Sequence, residues 1–332
     1  MQTPDPTPIT LPGLRMGHAT HPHRPTGCTV WLWPPGTVGS VDVRGAAPGT
    51  RETDALQPHN TVNEVHGLCL SGSSAFGLDA ASGVMHWLAE QGQGVAVGPA
   101  RVPIVPAAVI FDLGVGDPAV RVNAELGRQA CEAASANGVP SGNVGAGAGA
   151  TVGKLLGPAH AMRGGFGQCE LRLGELRVLA WAVVNAVGDV VHPDTGEWLA
   201  GARQAPSNLT PARVWQRLAK DPAPTHAWLG GNTTLGVVAT NQALNKTQAQ
   251  RVAMAAHNGL AQCIRPVHTP YDGDTVFAFG TGSLSGEPDL LRLGTLAAQA
   301  LSGAVVNAVQ SAQALRLGHH HWPAWADVTS GL

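Results

Sequence analysis

Residues 178–187 read VLAWAVVNAV, an apolar run interrupted only by Asn185. A strand with one face in water alternates apolar and polar residues, whereas an unbroken run demands cover on both faces. This segment therefore calls for stacked layers. Shorter runs at residues 29–33, 38–43, 95–97, 109–113, 235–239 and 275–279 also read as strands. Residues 168–191 extend the strand character, with Leu173-Gly174-Glu175 as a turn. Helical spacing appears over residues 74–90, where Phe76, Ala80, Val84, Trp87 and Leu88 form one stripe ahead of Gly92. Further helices are predicted over residues 122–137, closed by Gly138, from Asn245 onward, and over residues 289–315. Asn245 and Gln248 have the spacing of a capping box. Residues 199–231 are polar and proline-containing, with one short helix around Val214, and form the best internal linker. Strands and helices interleave without a repeated period, which predicts an α/β or α+β fold with stacked sheets.

Composition narrows the function classes. Charged residues are 13% of the chain, about half the usual share for a soluble domain, while 44% is apolar and the net charge is -2. A disordered chain would be poor in apolar residues and high in net charge. The 43 glycines follow no G-X-Y period, and no apolar stretch approaches a membrane span. With 20 basic against 22 acidic residues there is no field for nucleic acid, so a small, weakly charged partner is expected. Residues 1–12 lack the charged and apolar regions of a signal peptide, which predicts a cytoplasmic protein. Cys28, Cys69, Cys131, Cys169 and Cys263 are odd in number, widely spaced and without a CxxC pair, as expected of buried reduced thiols.

Several motifs fail on inspection. In the run Gly145 to Ala150 followed by Gly153-Lys154, Ala148 stands where a Walker motif needs its first glycine, and Leu155 replaces the hydroxyl residue that holds magnesium. The dinucleotide fingerprint is met only with Ala150 in its third glycine place. Small residues here are expected to let backbone approach backbone. His18, His21, His23 and His319 to His321 lack partners at ligand spacing, and Asp272-Gly273-Asp274 opens like a calcium loop that no glutamate closes. No metal and no cofactor are expected. The sequons at Asn208, Asn232 and Asn245 have no secretory signal to give them meaning.

Asn232-Thr233-Thr234 lies where the polar stretch ends and the run LGVVAT begins. A threonine hydroxyl is a weak nucleophile, and the α-amine of its own residue, titrating near neutrality, is one recorded activator. That amine exists inside a chain only if the preceding bond is cut. The surroundings bear on this. GGNTTLGVVATN, then IRPVHTPYDGDTVFAFGT, together with LPGLRMGHAT, VDVRGAAPGTRETDAL, GLCLSGSSAFGLDAASGV, PAAVIFDL, GNVGAGAGATVGK and WAVVNAVGDVV, resemble in order the blocks of a self-processing peptidase family. That family contains L-aminopeptidase D-amidase/esterase, β-aminopeptidases and nylon-oligomer (6-aminohexanoate oligomer) hydrolase. The resemblance spans most of residues 10–315 and leaves out the extreme N-terminus, residues 200–225 and the HHHWPAW tail.

The resemblance implies that Thr233 is an N-terminal nucleophile released by self-cleavage after Asn232, giving fragments 1–232 and 233–332 of a single catalytic domain, residues 1–332. Asp272 and Asp274 match the polar pair that the family places beside the nucleophile, and two aspartates there favour the nylon-oligomer branch. If that segment is extended, their spacing puts both carboxylates on one face. Asn185 matches the family's oxyanion-stabilising asparagine; even without the family, an amide in an apolar strand asks for a partner. Lys154 matches a lysine that tunes the nucleophile. Where the family commonly carries a substrate-binding tyrosine, this chain has Phe111, and its only tyrosine is Tyr271. The implied fold is a four-layer α-β-β-α sandwich, assembled as a tetramer or other homo-oligomer. The expected activity is hydrolysis of small peptides or linear amide oligomers without cofactor, metal, nucleic acid or membrane. An aminopeptidase or D-amino-acid amidase/esterase, and an unprocessed small-molecule-binding member, are the alternatives.

Overall fold

The computed structural model describes residues 10–220 and 231–329. At its centre, five strands lie in the order Gly165–Leu173, Leu176–Asn185, Thr233–Gln242, Thr275–Leu284 and Val38–Val43. All neighbours are antiparallel except Thr233–Gln242 and Thr275–Leu284, which run parallel. The strand Leu176–Asn185 shows why its sequence is apolar throughout. Val178, Ala180, Ala182 and Val184 pack beneath the helices Lys246–Cys263 and Leu290–Gln310, while Leu179, Trp181 and Val183 face a second sheet.

That second sheet runs Arg15–Thr20, Gly27–Leu32, Gly67–Ser71, Ala107–Val109 and Thr50–Arg51. Trp31, Leu68, Leu70 and Ala108 point toward the first sheet, with the Trp31 and Trp181 rings in edge contact at 5.8 Å. Its other face, through Cys28, Val30, Leu32 and Cys69, is covered by the helices Ala80–Glu90 and Ala124–Glu132. The four layers are therefore α-β-β-α. The two covering helices cross at glycine, since a Cβ on Gly127 would lie 2.0 Å from the Ala80 carbonyl oxygen. All five cysteines are free, and four are buried.

Several boundaries differ from those predicted, each because a tertiary contact intervenes. Residues 74–79 form a 3-10 turn ahead of the helix, because Ser73 and Ser74 adopt left-handed φ where the chain wraps the Asp112 carboxylate. The strand expected over 109–113 is Ala107–Val109, after which the chain turns to carry Asp112 into a buried ion pair with Arg24 at 2.9 Å. The second helix spans only Ala124–Glu132, since Ser135 leaves it to pair with Met16. The last long helix ends at Gln310, and Leu315–Leu317 forms a hairpin with His320–Trp322. The strand expected at 235 begins two residues earlier, at Thr233. Trp198–Ala200 is a strand and Val214–Leu218 a short helix; residues 221–230 of the predicted linker lie outside the described residues. The Gly145 to Ala150 run is buried between the sheets, and a Cβ on Gly147 would sit 2.3 Å from the Phe166 nitrogen. Among the described residues no helix is long and apolar enough to cross a membrane.

Candidate active site

Sheet register assembles the site. Asn185 ends its strand directly across from Thr233, which begins the next, and Thr234 faces Val184. On the other side Asn232 bridges Asp272, and Leu235 pairs with Thr275, so residues 272–274 lie alongside residues 232–234. Lys154 follows Gly153, whose left-handed φ of 74° turns the chain over the end of the Asn185 strand. The sequence motifs, far apart along the chain, thus meet at one end of the central sheet.

Thr233 is 3% exposed, and its hydroxyl donates to the carbonyl oxygen of its own preceding residue, Asn232, at 2.5 Å. The same oxygen accepts the Gly273 N–H at 3.0 Å. A peptide carbonyl held by a fixed N–H is polarised toward attack, and the donor stands ready for the charge that attack creates. Gly273 sits close: a Cβ there would lie 2.7 Å from the Thr233 hydroxyl. The loop after the strand Val38–Val43 braces this segment, as Arg44 and Gly45 donate to the Asp274 carbonyl and Ala47 to that of Asp272.

Asp272 and Asp274 are both buried, so the exposed turn that an acidic triplet suggests is excluded. They are placed by loop contacts, since the strand starts only at Thr275. Asp274 accepts the Thr234 N–H on one oxygen at 2.6 Å, and the backbone N–H and ring Nδ1 of His268 on the other at 3.0 and 2.8 Å. Asp272 accepts the backbone and hydroxyl of Thr269 on Oδ2, while its buried Oδ1 has no partner among the described residues. Burial, reinforced by the charge of Asp274, pushes the Asp272 carboxyl up to about 6 against the opposing pull of Thr269 and Lys154.

The Asn185 amide is held at both its oxygen and its nitrogen. Its oxygen accepts Lys154 Nζ at 2.8 Å and the Thr151 N–H at 3.1 Å, and its nitrogen donates to the Phe111 carbonyl at 3.1 Å. Lys154 also donates to the carbonyls of Asn185 and Gly231, at 3.0 and 3.1 Å, which replaces the solvated lysine that a bare sequence permits. Burial lowers the Lys154 ammonium to about 7, partly offset by Asp272 and Asp112.

Sequence reasoning missed three participants. The Gly273 N–H, and not the Asn185 amide, is the backbone donor on the Asn232 carbonyl. His268 and Thr269 hold the two carboxylates; they lie within the block IRPVHTPYDGDT, but nothing in their letters marks them as carboxylate clamps. Phe111 lines a cleft beside Lys154, Gly231 and Asn232, whereas Tyr271 is not among its lining residues. No cluster of three or more His, Cys, Asp or Glu able to hold a metal occurs among the described residues. His18 turns inward, bonding Thr29 at 2.8 Å.

The chain is similar to known proteins. Peptidase family S58 matches residues 9–321. An uncharacterized aminopeptidase of Mycobacterium bovis is 46% identical over 308 residues, covering 86% of each chain. A 6-aminohexanoate-oligomer endohydrolase of Kocuria sp. is 33% identical over 276 residues, covering 82% of this chain and 74% of the relative. Among solved structures, a Burkholderia sp. β-aminopeptidase superposes with a TM-score of 0.70 at 19% identity, over 97% of this chain and 92% of its own. The L-aminopeptidase D-Ala-esterase/amidase of Ochrobactrum anthropi, described as a variant of the Ntn hydrolase fold, gives 0.70 at 17% identity, over 96% and 91%. The chain belongs to peptidase family S58, is a peptide or amide hydrolase, and has the fold of the Ntn hydrolases.

Proposed function

We propose that the chain is a precursor that cuts itself between Asn232 and Thr233, and that the freed Thr233 is the nucleophile for small peptides or linear amide oligomers. The observation that carries this is the Thr233 hydroxyl lying on the Asn232 carbonyl, which Gly273 already polarises. In the cleavage, Thr233 Oγ1 bonds to the Asn232 carbonyl carbon, the C–N bond breaks, and the hydroxyl proton passes to the departing nitrogen. Water then hydrolyses the ester, leaving an Asn232 carboxylate and a free Thr233 amine and hydroxyl.

On an external amide the new amine takes the hydroxyl proton and returns it to the leaving amine, and a second water resolves the acyl-enzyme. The unpartnered Oδ1 of Asp272 lies in the segment bridged to Asn232, where it would meet the new ammonium. Asp274 fixes Thr234 and so the position of Thr233. Lys154 donates to the Asn185 amide oxygen and to the Gly231 carbonyl, so both side chains stand at the acyl side, where the second N–H of the Asn185 amide would stabilise the oxyanion. The high identity to mycobacterial proteins named as aminopeptidases favours a sibling reading in which the substrate presents a free amine. A cytoplasmic homo-oligomer, with the tetramer as the expected form, completes the proposal, and exposed Leu290 and Leu291 on a covering helix support subunit contact.

Denaturing mass spectrometry tests self-cleavage. The wild-type chain is expected as two fragments meeting at Asn232 and Thr233, whereas Thr233→Ala stays whole and lacks amidase activity. A wild-type chain that remains at 34.0 kDa on long incubation would overturn the proposal. Assay on N-acylated against free-amine peptide amides separates the sibling readings.

A further inference from the structure

Asp274 bridges two segments of the chain. One of its oxygens accepts the Thr234 N–H at 2.6 Å, and the other accepts the backbone N–H of His268 at 3.0 Å and its ring Nδ1 at 2.8 Å. His268 is not glycine, yet its backbone is left-handed, with a φ of 55°. A side chain makes that conformation sparse, and it persists where the surroundings over-determine it. Here the N–H and the ring of a single residue converge on a single carboxylate oxygen. The ring has no second polar contact, because its buried Nε2 is without a partner among the described residues.

The ring is also held from behind. His257, on the helix Lys246–Cys263, meets it edge to face with centroids 4.8 Å apart. His257 donates its Nε2 proton to the Asp42 carbonyl at 3.0 Å, since a carbonyl only accepts. Burial lowers His257 to about 4 against the pull of Asp42, so an uncharged ring backs His268 near neutrality. Arg44 closes the circuit. Its Nε bonds the Asp42 carboxylate at 2.8 Å, and its backbone N–H donates to the Asp274 carbonyl at 3.0 Å. Asp274 is thus gripped at its main chain by Arg44 and at its carboxylate by His268, which leaves the other oxygen on Thr234. His268 is not among the residues that line the cleft beside Lys154 and Asn232.

Resting on the assignment of Thr233 as nucleophile, we propose that His268 is a positioning residue whose Nδ1–H holds Asp274, so that Asp274 fixes the Thr234 N–H and, through it, the Thr233 hydroxyl. It touches no reacting atom. Its loss therefore acts on the chemical step and leaves substrate binding in place.

The test compares His268→Gly, His268→Asn and His268→Gln. Glycine takes the left-handed backbone freely, so His268→Gly removes the ring without adding strain. Asparagine also tolerates that backbone and carries an amide N–H close to the place of Nδ1, whereas glutamine carries it one bond too far. His268→Gly and His268→Gln should slow self-cleavage, and kcat of the processed enzyme, by about 100-fold with KM within about twofold, and His268→Asn should restore most of the rate. Equal rates for the three variants, or a loss confined to KM, would overturn the proposal. Nitrogen-15 spectra of the uncut Thr233→Ala chain keep it testable if the variants do not fold. They should show His268 protonated at Nδ1, and a ring protonated at Nε2 alone would overturn the proposal. Amide exchange at Thr234 separates the two claims. In a wild type that never cleaves, the nucleophile assignment is lost, while faster exchange in His268→Gly than in His268→Asn supports the hold on Thr234 and equal exchange removes it. A wild type that cleaves, with His268→Gly cleaving as fast, removes the role of His268 alone.

Discussion

Many threonines begin strands; Thr233 differs in that its hydroxyl and a fixed N–H converge on one buried carbonyl. Gly273 supplies that N–H and leaves no room for more. A methyl on it would lie 2.7 Å from the Thr233 hydroxyl and 2.8 Å from the Ala47 carbonyl oxygen. Gly273→Ala should therefore displace the hydroxyl and slow self-cleavage by about 100-fold, measured as fragment appearance with time; cleavage at the wild-type rate would refute the tight fit. Asp272 carries a second expectation. Its carboxyl titrates at about 6 in the folded chain against an ordinary 3.8, so the folded state holds the proton more tightly than the unfolded one. The stability this confers is complete below about pH 4 and is lost as pH rises through about 6. In uncut Thr233→Ala the urea midpoint should fall across that window, and adding Asp272→Asn should make the fall shallower; parallel curves would show that another carboxyl is responsible. The motifs Asn232-Thr233-Thr234 and Asp272-Gly273-Asp274 were legible because they are side-chain letters in a known order. The Gly273 N–H and the Phe111 carbonyl were not, since every residue has such groups and only the fold aims them.

At the scale of elements, apolar periodicity located the five strands of the central sheet and the long helices, missed Arg15–Thr20 and Gly67–Ser71 of the second sheet, and failed at ends where a contact from elsewhere cuts an element short. The helix from residue 122 stops at Glu132 because Ser135 is needed by Met16, a partner more than a hundred residues away that no local pattern signals. The Thr233–Gln242 strand was predicted to start two residues late, because Thr233 and Thr234 look polar, yet both are buried by neighbours on each side. Where the signal is local the agreement is close. The Asn245 side chain accepts the Gln248 N–H at 2.9 Å, and the Gln248 side chain accepts the Asn245 N–H at 2.9 Å. Asn245→Ala should lower unfolding free energy by about 1 kcal/mol while leaving self-cleavage intact. A variant as stable as wild type would mean that the first turn of this helix is held by packing instead of its cap.

For the whole molecule, the proposed cut falls inside the central sheet. Strands Gly165–Leu173, Leu176–Asn185 and Val38–Val43 precede the bond, Thr233–Gln242 and Thr275–Leu284 follow it, and in space the later pair lies between the earlier ones. Both helices over this sheet, Lys246–Cys263 and Leu290–Gln310, belong to the C-terminal part, yet they cover Val178, Ala180, Ala182 and Val184 of the N-terminal part. Pulling the fragments apart would break ladders on two sides of the later pair and expose two apolar interfaces, a loss far beyond the stability of an ordinary domain. Cleavage is therefore expected to free the Thr233 amine without loosening the fold. The two fragments should run together in gel filtration under native conditions and melt in one cooperative transition. They should separate only in denaturant. Fragments that part in dilute buffer, or two distinct melting steps, would show that the two halves fold independently and that the shared sheet does not bind them.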